Sequence, residues 1–435
     1  MNTKRIVRWV IVLFLLAALP GLTVALAQGQ EPAAKQPLPP VTEPGESAAP
    51  AFNVYESEPN NTMGQADVMN INDVMGGYMN YGGDVDFFKF YNPDYLTHIL
   101  IDVDADTIDA DMDPVVTFYD AAGNQLGVDD DSSGTVDPLL YRILDPGWWY
   151  VKVEDYYDDG GGNQWYDLIV SYPFLISAAA ANLGTGNVAG IPFRSEDILA
   201  WSPLNDGAEK WVMLIDGSDV GFTKNVTNLS RGWLDHVSSN LAVSFAANVT
   251  VVDYTGATQI VKPWDWMHFN LDQAGSDSAI SAREVNRGGW AGLTTSTEKV
   301  DAISVKDYWN TSSQVIWRYI STVGTASVPK QGGGVLKPAD EDVFLITENA
   351  ATGWTNSAFF DGSRVPGLAG EDVCAATYRT ADNLLLLTIV GTGNIAGHPV
   401  SQKDIFWINP SSQTWGGIAW HGPDHGWNYS LDAID

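Results

Sequence analysis

The chain has 435 residues, more than one ordinary domain holds, so two or three domains are expected. Its formal net charge of −32 excludes nucleic acid as a partner, because phosphate binding needs a basic face. A single cysteine, Cys374, excludes an internal disulfide and a cysteine-rich zinc site; within its apolar stretch it reads as a small buried hydrophobe.

The amino terminus reads as an export signal over residues 1–27. Lys4, Arg5 and Arg8 precede an apolar run from Trp9 to Leu19, and Ala25-Leu26-Ala27 offers a small-x-small cleavage site. The Pro20-Gly21 break and that site favour cleavage over an uncleaved membrane anchor, so no membrane span is expected in the mature chain. The absence of cysteine near the site excludes lipid attachment there. Residues 28–53, rich in Pro, Ala, Glu and Gln, read as an extended linker.

From 54 to 173 the pattern is β. Runs such as Ile99-Leu100-Ile101, Val115-Val116-Thr117-Phe118 and Trp149-Tyr150-Val151 are separated by Asp/Gly/Pro/Asn turns, and no helical period lasts three turns. An all-β sandwich is expected. The segment is strongly acidic, with 24 Asp and Glu against Lys89, Arg142 and Lys152. Cation binding or solubility outside the cell is the natural use of such density. Two carboxylates at Glu56 and Glu58, the pair Asn60-Asn61, and a distant Asp84-x-Asp86 can converge into an oxygen-rich cage of the kind Ca²⁺ takes.

The run Glu56-Ser57-Glu58-Pro59-Asn60-Asn61 with Gly83-Asp84-Val85-Asp86-Phe87-Phe88-Lys89-Phe90, and the strands Gly147-Trp148-Trp149-Tyr150-Val151-Lys152-Val153 and Tyr166-Asp167-Leu168, resemble the pre-peptidase C-terminal domain. That family is a small β-sandwich appended to secreted bacterial and archaeal enzymes, related to calcium-dependent collagen-binding domains. The resemblance implies Glu56, Glu58, Asn60, Asn61, Asp84 and Asp86 as calcium ligands.

Residues 174–435 contain repeats. Gly184-Thr185-Gly186-Asn187-Val188-Ala189-Gly190 recurs as Gly391-Thr392-Gly393-Asn394-Ile395-Ala396-Gly397. Glu196-Asp197-Ile198 recurs as Glu341-Asp342-Val343, and Asp216-Gly217-Ser218 as Asp361-Gly362-Ser363. With a weaker copy at Asp265 and one at Asp404, four units of four strand-like pieces each are expected. Tandem four-stranded units suggest a four-bladed β-propeller. The chain stops after the third piece of its last unit, while residues 174–183 sit where a fourth piece belongs, so its two ends are expected to pair and close the ring. The repeats also resemble secreted bacterial proteins of unassigned function.

The acidic stretches 129–134 and 155–162 read as solvated hairpin tips, lacking the EF-hand spacing. The segment from His421 to Trp427 replaces an Asp-Gly-Ser turn and reads as that turn, not as a metal or catalytic pair. The Asp-Gly-Ser turns and most of the 17 tryptophans read as structural. No His-Glu-x-x-His, Gly-x-Ser-x-Gly or phosphate-cradling loop is present. The expectation is a secreted or periplasmic, monomeric, non-catalytic binding protein. Its sandwich holds calcium, and its propeller faces an extracellular polymer, peptide or cell-surface component. The competing class is a secreted hydrolase or lyase acting at the propeller mouth.

Overall fold

The computed structural model describes residues 54–435 apart from 96, 106–107, 109, 133–135, 180–184, 232–236, 311–312, 350–352 and 381. The expected signal peptide and linker lie outside these residues. The described chain is nearly all-β, its strands arranged in several sheets, with a four-residue α-helix at Gly288–Ala291 and short 3-10 turns at Gly362–Arg364 and Gly422–His425. No helix among the described residues is long and apolar enough to cross a membrane.

Two sheets come from the first part of the chain. One has six strands in the order Val54–Tyr55, Val74–Tyr78, Trp165–Ser171, Thr97–Asp104, Leu139–Leu144 and Val237–Ser238. The other has five, in the order Asp67–Val68, Val85–Asn92, Gly147–Asp155, Pro114–Asp120 and Gln125–Asp129. Alternation along Val85–Asn92 and Gly147–Asp155 turns Phe88, Phe90, Val151 and Val153 inward, onto Ile99, Ile101, Val103 and Leu168 of the six-stranded sheet. The same period carries Asp86 to the buried side. Thr97–Asp104 and Leu139–Leu144 are buried on both faces, which is why their apolar residues run on without alternation. Their second face, with Leu100, Leu139, Tyr141 and Ile143, packs against Leu175, Leu214, Leu241 and Phe269 from the later sheets.

The rest of the chain forms four four-stranded antiparallel sheets. The second joins Val226–Arg231, Asn240–Phe245, Trp266–Gln273 and Ala279–Asn286. The third joins Val300–Asn310, Ser313–Thr322, Val343–Asn349 and Gly353–Phe360. The fourth joins Val373–Arg379, Leu384–Ile389, Asp404–Asn409 and Thr414–His421. The first is assembled from both ends of this region: Leu431–Ile434 pairs with Phe174–Ala178, followed by Ile198–Pro203 and Glu209–Ile215. The leading strands of the four sheets touch in a cycle. Leu431–Ile434 and Val300–Asn310 each contact both Val226–Arg231 and Val373–Arg379.

Each sheet carries a small hairpin between its second and third strands, which sequence reasoning did not foresee as a separate element. In two of them the repeated Asn-x-Ala-Gly forms the turn. Ala189 and Ala396 take φ of 48° and 52°, and Gly190 and Gly397 take 89° and 91°. Positive φ at both central residues is what a two-residue hairpin turn requires.

The repeated aspartates have a structural task. The carboxylates of Asp197, Asp265 and Asp342 each accept from a backbone N–H three residues earlier, at Arg194, Lys262 and Ala339. Their other oxygens accept from Gly217, Gly288 and Gly362 N–H at 2.9, 3.0 and 2.9 Å. The glycine is required because a Cβ there would meet backbone oxygen: 2.2 Å from Glu196 O, 1.8 Å from Trp264 O and 2.2 Å from Glu341 O. In the fourth sheet His421 pairs with Asp404, and Gly422 donates to Lys403 O. His421 therefore stands where Asp216 and Asp361 stand, and Arg287 takes the same place in the second sheet, 2.9 Å from Asp265.

Aromatic residues seal the first sheet to the fourth. Trp211 stacks on Trp427 at 5.7 Å, Trp427 on Phe193 at 5.0 Å, and Trp201 meets Trp420 at 6.0 Å. His425 stacks on Trp420 and pairs with Glu209 at 2.5 Å. Cys374 is buried.

Candidate metal centre

Strand Val54–Tyr55 runs parallel to Val74–Tyr78, and Glu56 N–H donating to Gly76 O continues that ladder into the acidic segment. Asn60 O then accepts from Phe87 N–H, pinning the segment to the start of strand Val85–Asn92. This brings together groups 22 to 30 residues apart. Carboxylate oxygens of Glu58, Asp84 and Asp86 all lie within 4.8 Å of one another. Glu56 stands beside Asp86, its two oxygens accepting from Tyr78 N–H at 2.7 Å and from Asn60 Nδ2 at 3.3 Å. Asn60 is fully buried, and its Oδ1, like Asp86 Oδ1, receives no donor. Asn61 turns its amide nitrogen toward Asp84 Oδ1 at 2.8 Å and Tyr81 at 2.7 Å, so it steadies Asp84.

Two supporting residues escaped sequence reasoning. Asn80 donates its side chain to Glu58 at 2.9 Å and its backbone N–H to Asp84 at 2.7 Å. Tyr166 O–H crosses from the six-stranded sheet to Asp86 Oδ2 at 2.6 Å. A Cβ on Gly77 would lie 2.1 Å from the Tyr166 ring, so that glycine makes the approach possible. The sequence signals them only as an asparagine after a strand and a strand tyrosine.

Burying Glu56, Glu58 and Asp86 beside one another raises the proton affinity of these three. Burial, then the neighbouring Asp86, pushes Glu56 far above the carboxylate range. Burial pushes Asp86 up to about 7, against the Tyr166 hydroxyl, which lowers it. Burial also raises Glu58. Such a set is relieved either by protons or by a cation. A hard cation sits 2.3–2.6 Å from each oxygen, so ligands up to about 5 Å apart can share one. The orphaned Asn60 and Asp86 oxygens fit that use.

The other acidic stretches differ from expectation in one respect. Asp155 is a buried cap, accepting from Asp113, Tyr157 and Asp159 N–H. Asp129 is partly buried and accepts from Leu139 N–H.

A second feature lies where the six-stranded sheet meets the four-sheet region. A cavity of about 500 Å³ opens beside His98, Tyr172, Phe174, Arg231, Thr377 and Asp435. His98 is held between the Tyr141 hydroxyl and Asp435 Oδ2, the latter at 3.0 Å. Asp435 also accepts from Arg231 N–H at 2.8 Å and Thr377 Oγ1 at 2.7 Å. Nearby, Lys210 reaches Asp102 at 3.0 Å and Asp104 at 2.5 Å. Burial works against its charge, but the two aspartates hold its proton affinity above the usual lysine range.

No family model matches the chain, and no curated protein matches it. Among solved structures, it is similar to the pre-peptidase C-terminal domain of a collagenase from Bacillus anthracis. The likeness has 18% identity over 24% of this chain and 94% of that one, with a TM-score of 0.20. A score that low supports no inference about activity.

Proposed function

We propose that the chain is an exported, non-catalytic binding protein. In this reading residues 54–173 form a calcium-stabilised sandwich of the pre-peptidase type, and residues 174–435 form a four-bladed propeller presenting a face to an extracellular polymer, peptide or surface component. The observation that carries the calcium reading is the convergence of Glu58, Asp84 and Asp86 oxygens within 4.8 Å of one another, with Asp86 Oδ1 receiving no donor. The cycle of leading strands and the pairing of Leu431–Ile434 with Phe174–Ala178 support the propeller. The cavity beside His98 and Arg231 is where this reading seats a ligand, since interfaces between domains favour such sites. Of the three carboxylates there, Asp94, Asp382 and Asp435, the last already accepts three hydrogen bonds and Asp382 is paired with Arg379, so two of the three are engaged, which favours binding over hydrolysis or lyase chemistry.

Thermal unfolding in millimolar Ca²⁺ and in chelator tests the metal. Calcium at about 100 times its dissociation constant adds roughly 2.7 kcal/mol. The gain is expected to vanish in Glu58→Gln/Asp84→Asn. An unchanged midpoint in the native chain would overturn the calcium reading.

A further inference from the structure

The four leading strands share an irregularity that marks equivalent positions in the four sheets. In each, one residue is skipped in the pairing with the second strand: Asp432, Thr227, Asp301 and Cys374. A β-bulge leaves its extra residue outside the ladder. Three residues beyond each bulge stand Asp435, Ser230, Ser304 and Thr377, all buried, on strands that touch in a cycle around one axis. Thr377 Oγ1 donates to Asp435 Oδ1 at 2.7 Å and lies 3.3 Å from Ser304 Oγ. Val305 N–H donates to Ser230 Oγ at 2.8 Å, and Arg231 N–H returns to Asp435 Oδ2 at 2.8 Å. One polar residue per sheet thus closes a hydrogen-bonded ring, and its Asp435–Thr377 side borders the cavity beside His98.

Two kinds of group wall that cavity. Tyr95, Tyr172 and Phe174 supply aromatic surface, while Leu386 and Pro173 are the aliphatic residues of its described lining. The polar groups come as donors beside acceptors. Arg379 at the rim is forked onto Asp382, through Nε at 3.4 Å and through Nη2. His98 Nε2 and Asp435 meet at 3.0 Å, and Thr97, Thr377 and Thr380 carry hydroxyls, which both donate and accept. Arg231 and Arg379 stand against Asp94, Asp382 and Asp435, a near balance that gives neither an anion nor a cation a strong partner. Peptide recognition draws on an open strand edge or apolar side-chain pockets. Here the aliphatic surface is confined to two residues, and the end of strand Val226–Arg231 is already bonded to Asp435.

We propose that this cavity binds a neutral saccharide, the end or a short stretch of an uncharged polysaccharide. The inference rests on the binding reading above and names the class of its ligand. A sugar ring has apolar C–H faces, against which aromatic rings stack, and neighbouring hydroxyls that each donate and accept. It therefore bridges an arginine and its aspartate without upsetting their charge balance. The volume of about 500 Å³ lies within the roughly 300–1,000 Å³ of small-molecule sites. The walls come from the six-stranded sheet through His98, the first sheet through Phe174, the second through Arg231 and the fourth through Arg379. The ring holds these elements together before a ligand arrives, so little ordering is left for binding to supply.

Affinity electrophoresis of the full chain tests the proposal, in native gels carrying uncharged polysaccharides (β-glucan, mannan, xylan or galactan), polygalacturonate or gelatin. Retardation by at least one uncharged polysaccharide is expected. Tyr95→Ala and Arg379→Ala change exposed rim residues and leave the ring intact. Each is expected to weaken that binding about tenfold, the loss of one good contact. Trp290→Ala, at an exposed tryptophan outside the cavity, is expected to leave it unchanged. Retardation by none of the uncharged gels overturns the proposal, as does retardation that both rim variants retain. Retardation by polygalacturonate or gelatin alone also overturns it, while the broader binding reading survives. Release of reducing ends from a polysaccharide the chain binds means the reverse: the saccharide class stands and the non-catalytic reading falls.

Discussion

Replacing Lys210 with Met tests the joint between the six-stranded sheet and the later sheets. Lys210 lies on Glu209–Ile215 and its ammonium bridges Asp102 and Asp104 on Thr97–Asp104, with Asp137 and Asp167 acting on the same group of acids. Methionine keeps much of the volume and removes the charge. Breaking a buried ion pair by deleting one partner costs about 3–5 kcal/mol, because the other charge stays buried and uncompensated. At about 2 cal/mol/K per residue, a cooperative unit of this size converts 1 kcal/mol to roughly 1 °C, so the midpoint should fall by about 3–5 °C at pH 8. The loss should shrink at pH 5. Burial and Asp104 hold Asp102 at about 7, and burial holds Asp167 at about 8, both above the unfolded value of about 3.9. Over that window the folded state binds more protons than the unfolded state, so these groups' contribution to stability falls as pH rises. Without Lys210 the folded values of Asp102 and Asp167 rise further and the fall steepens, whereas at pH 5 these two acids are neutral and do not miss the lysine. Thermal melts of native and Lys210→Met chains at both pH values decide. A loss of equal size at pH 5 and pH 8 would refute the electrostatic account.

Calcium stabilisation should grow with pH between 5 and 8. Asp86, raised to about 7 in the folded cage, takes up protons that an entering ion must displace, so stability in chelator falls as pH rises while the calcium-loaded curve falls less; parallel curves would count against the cage. Gly362→Ala should cost about 1–3 kcal/mol, because its Cβ would lie 2.2 Å from Glu341 O. Gly64→Ala, whose Cβ meets nothing nearer than 3.9 Å, should stay within about 0.5 kcal/mol in the same denaturation series, and equal effects would show that the close approach does not matter.

What could be read from the chain follows from how locally each feature is encoded. The Asp-Gly pairs at 197/217 and 342/362 were legible because both members recur at fixed offsets, and the structure shows one hydrogen bond keeping each spacing. The copy at 265/288 was faint because Arg287 replaces the turn aspartate, though Gly288 keeps its place. The pairing of Leu431–Ile434 with Phe174–Ala178 could be inferred by counting strand-like pieces. Strand Val237–Ser238 could not, since two residues carry no period, and yet it extends the six-stranded sheet at Leu139–Leu144. In the cage, the acids were visible as a dense cluster. Asn80 and Tyr166 were not, because a hydrogen bond across two sheets leaves no trace in spacing.

Strand Leu431–Ile434 concentrates much of this organisation. Its pairing completes the first sheet, and Asp432 on it reaches Asn225 of the second. Asp435, next along, engages His98 of the six-stranded sheet, Arg231 of the second sheet and Thr377 of the fourth. Two carboxylates three residues apart thus meet two levels of the same axis, one at the bulges and one at the cavity. A strand that satisfies partners in so many elements gains its contacts only after those elements have formed. Its pairing is long-range in sequence, so the loop-closure entropy it needs has to be offset by the contacts it makes in several elements together. The aromatic seam of Trp201, Trp211, Trp420 and Trp427 lies beside the same strand. Apolar burial there supplies the strength of the closure, and the carboxylates supply its register.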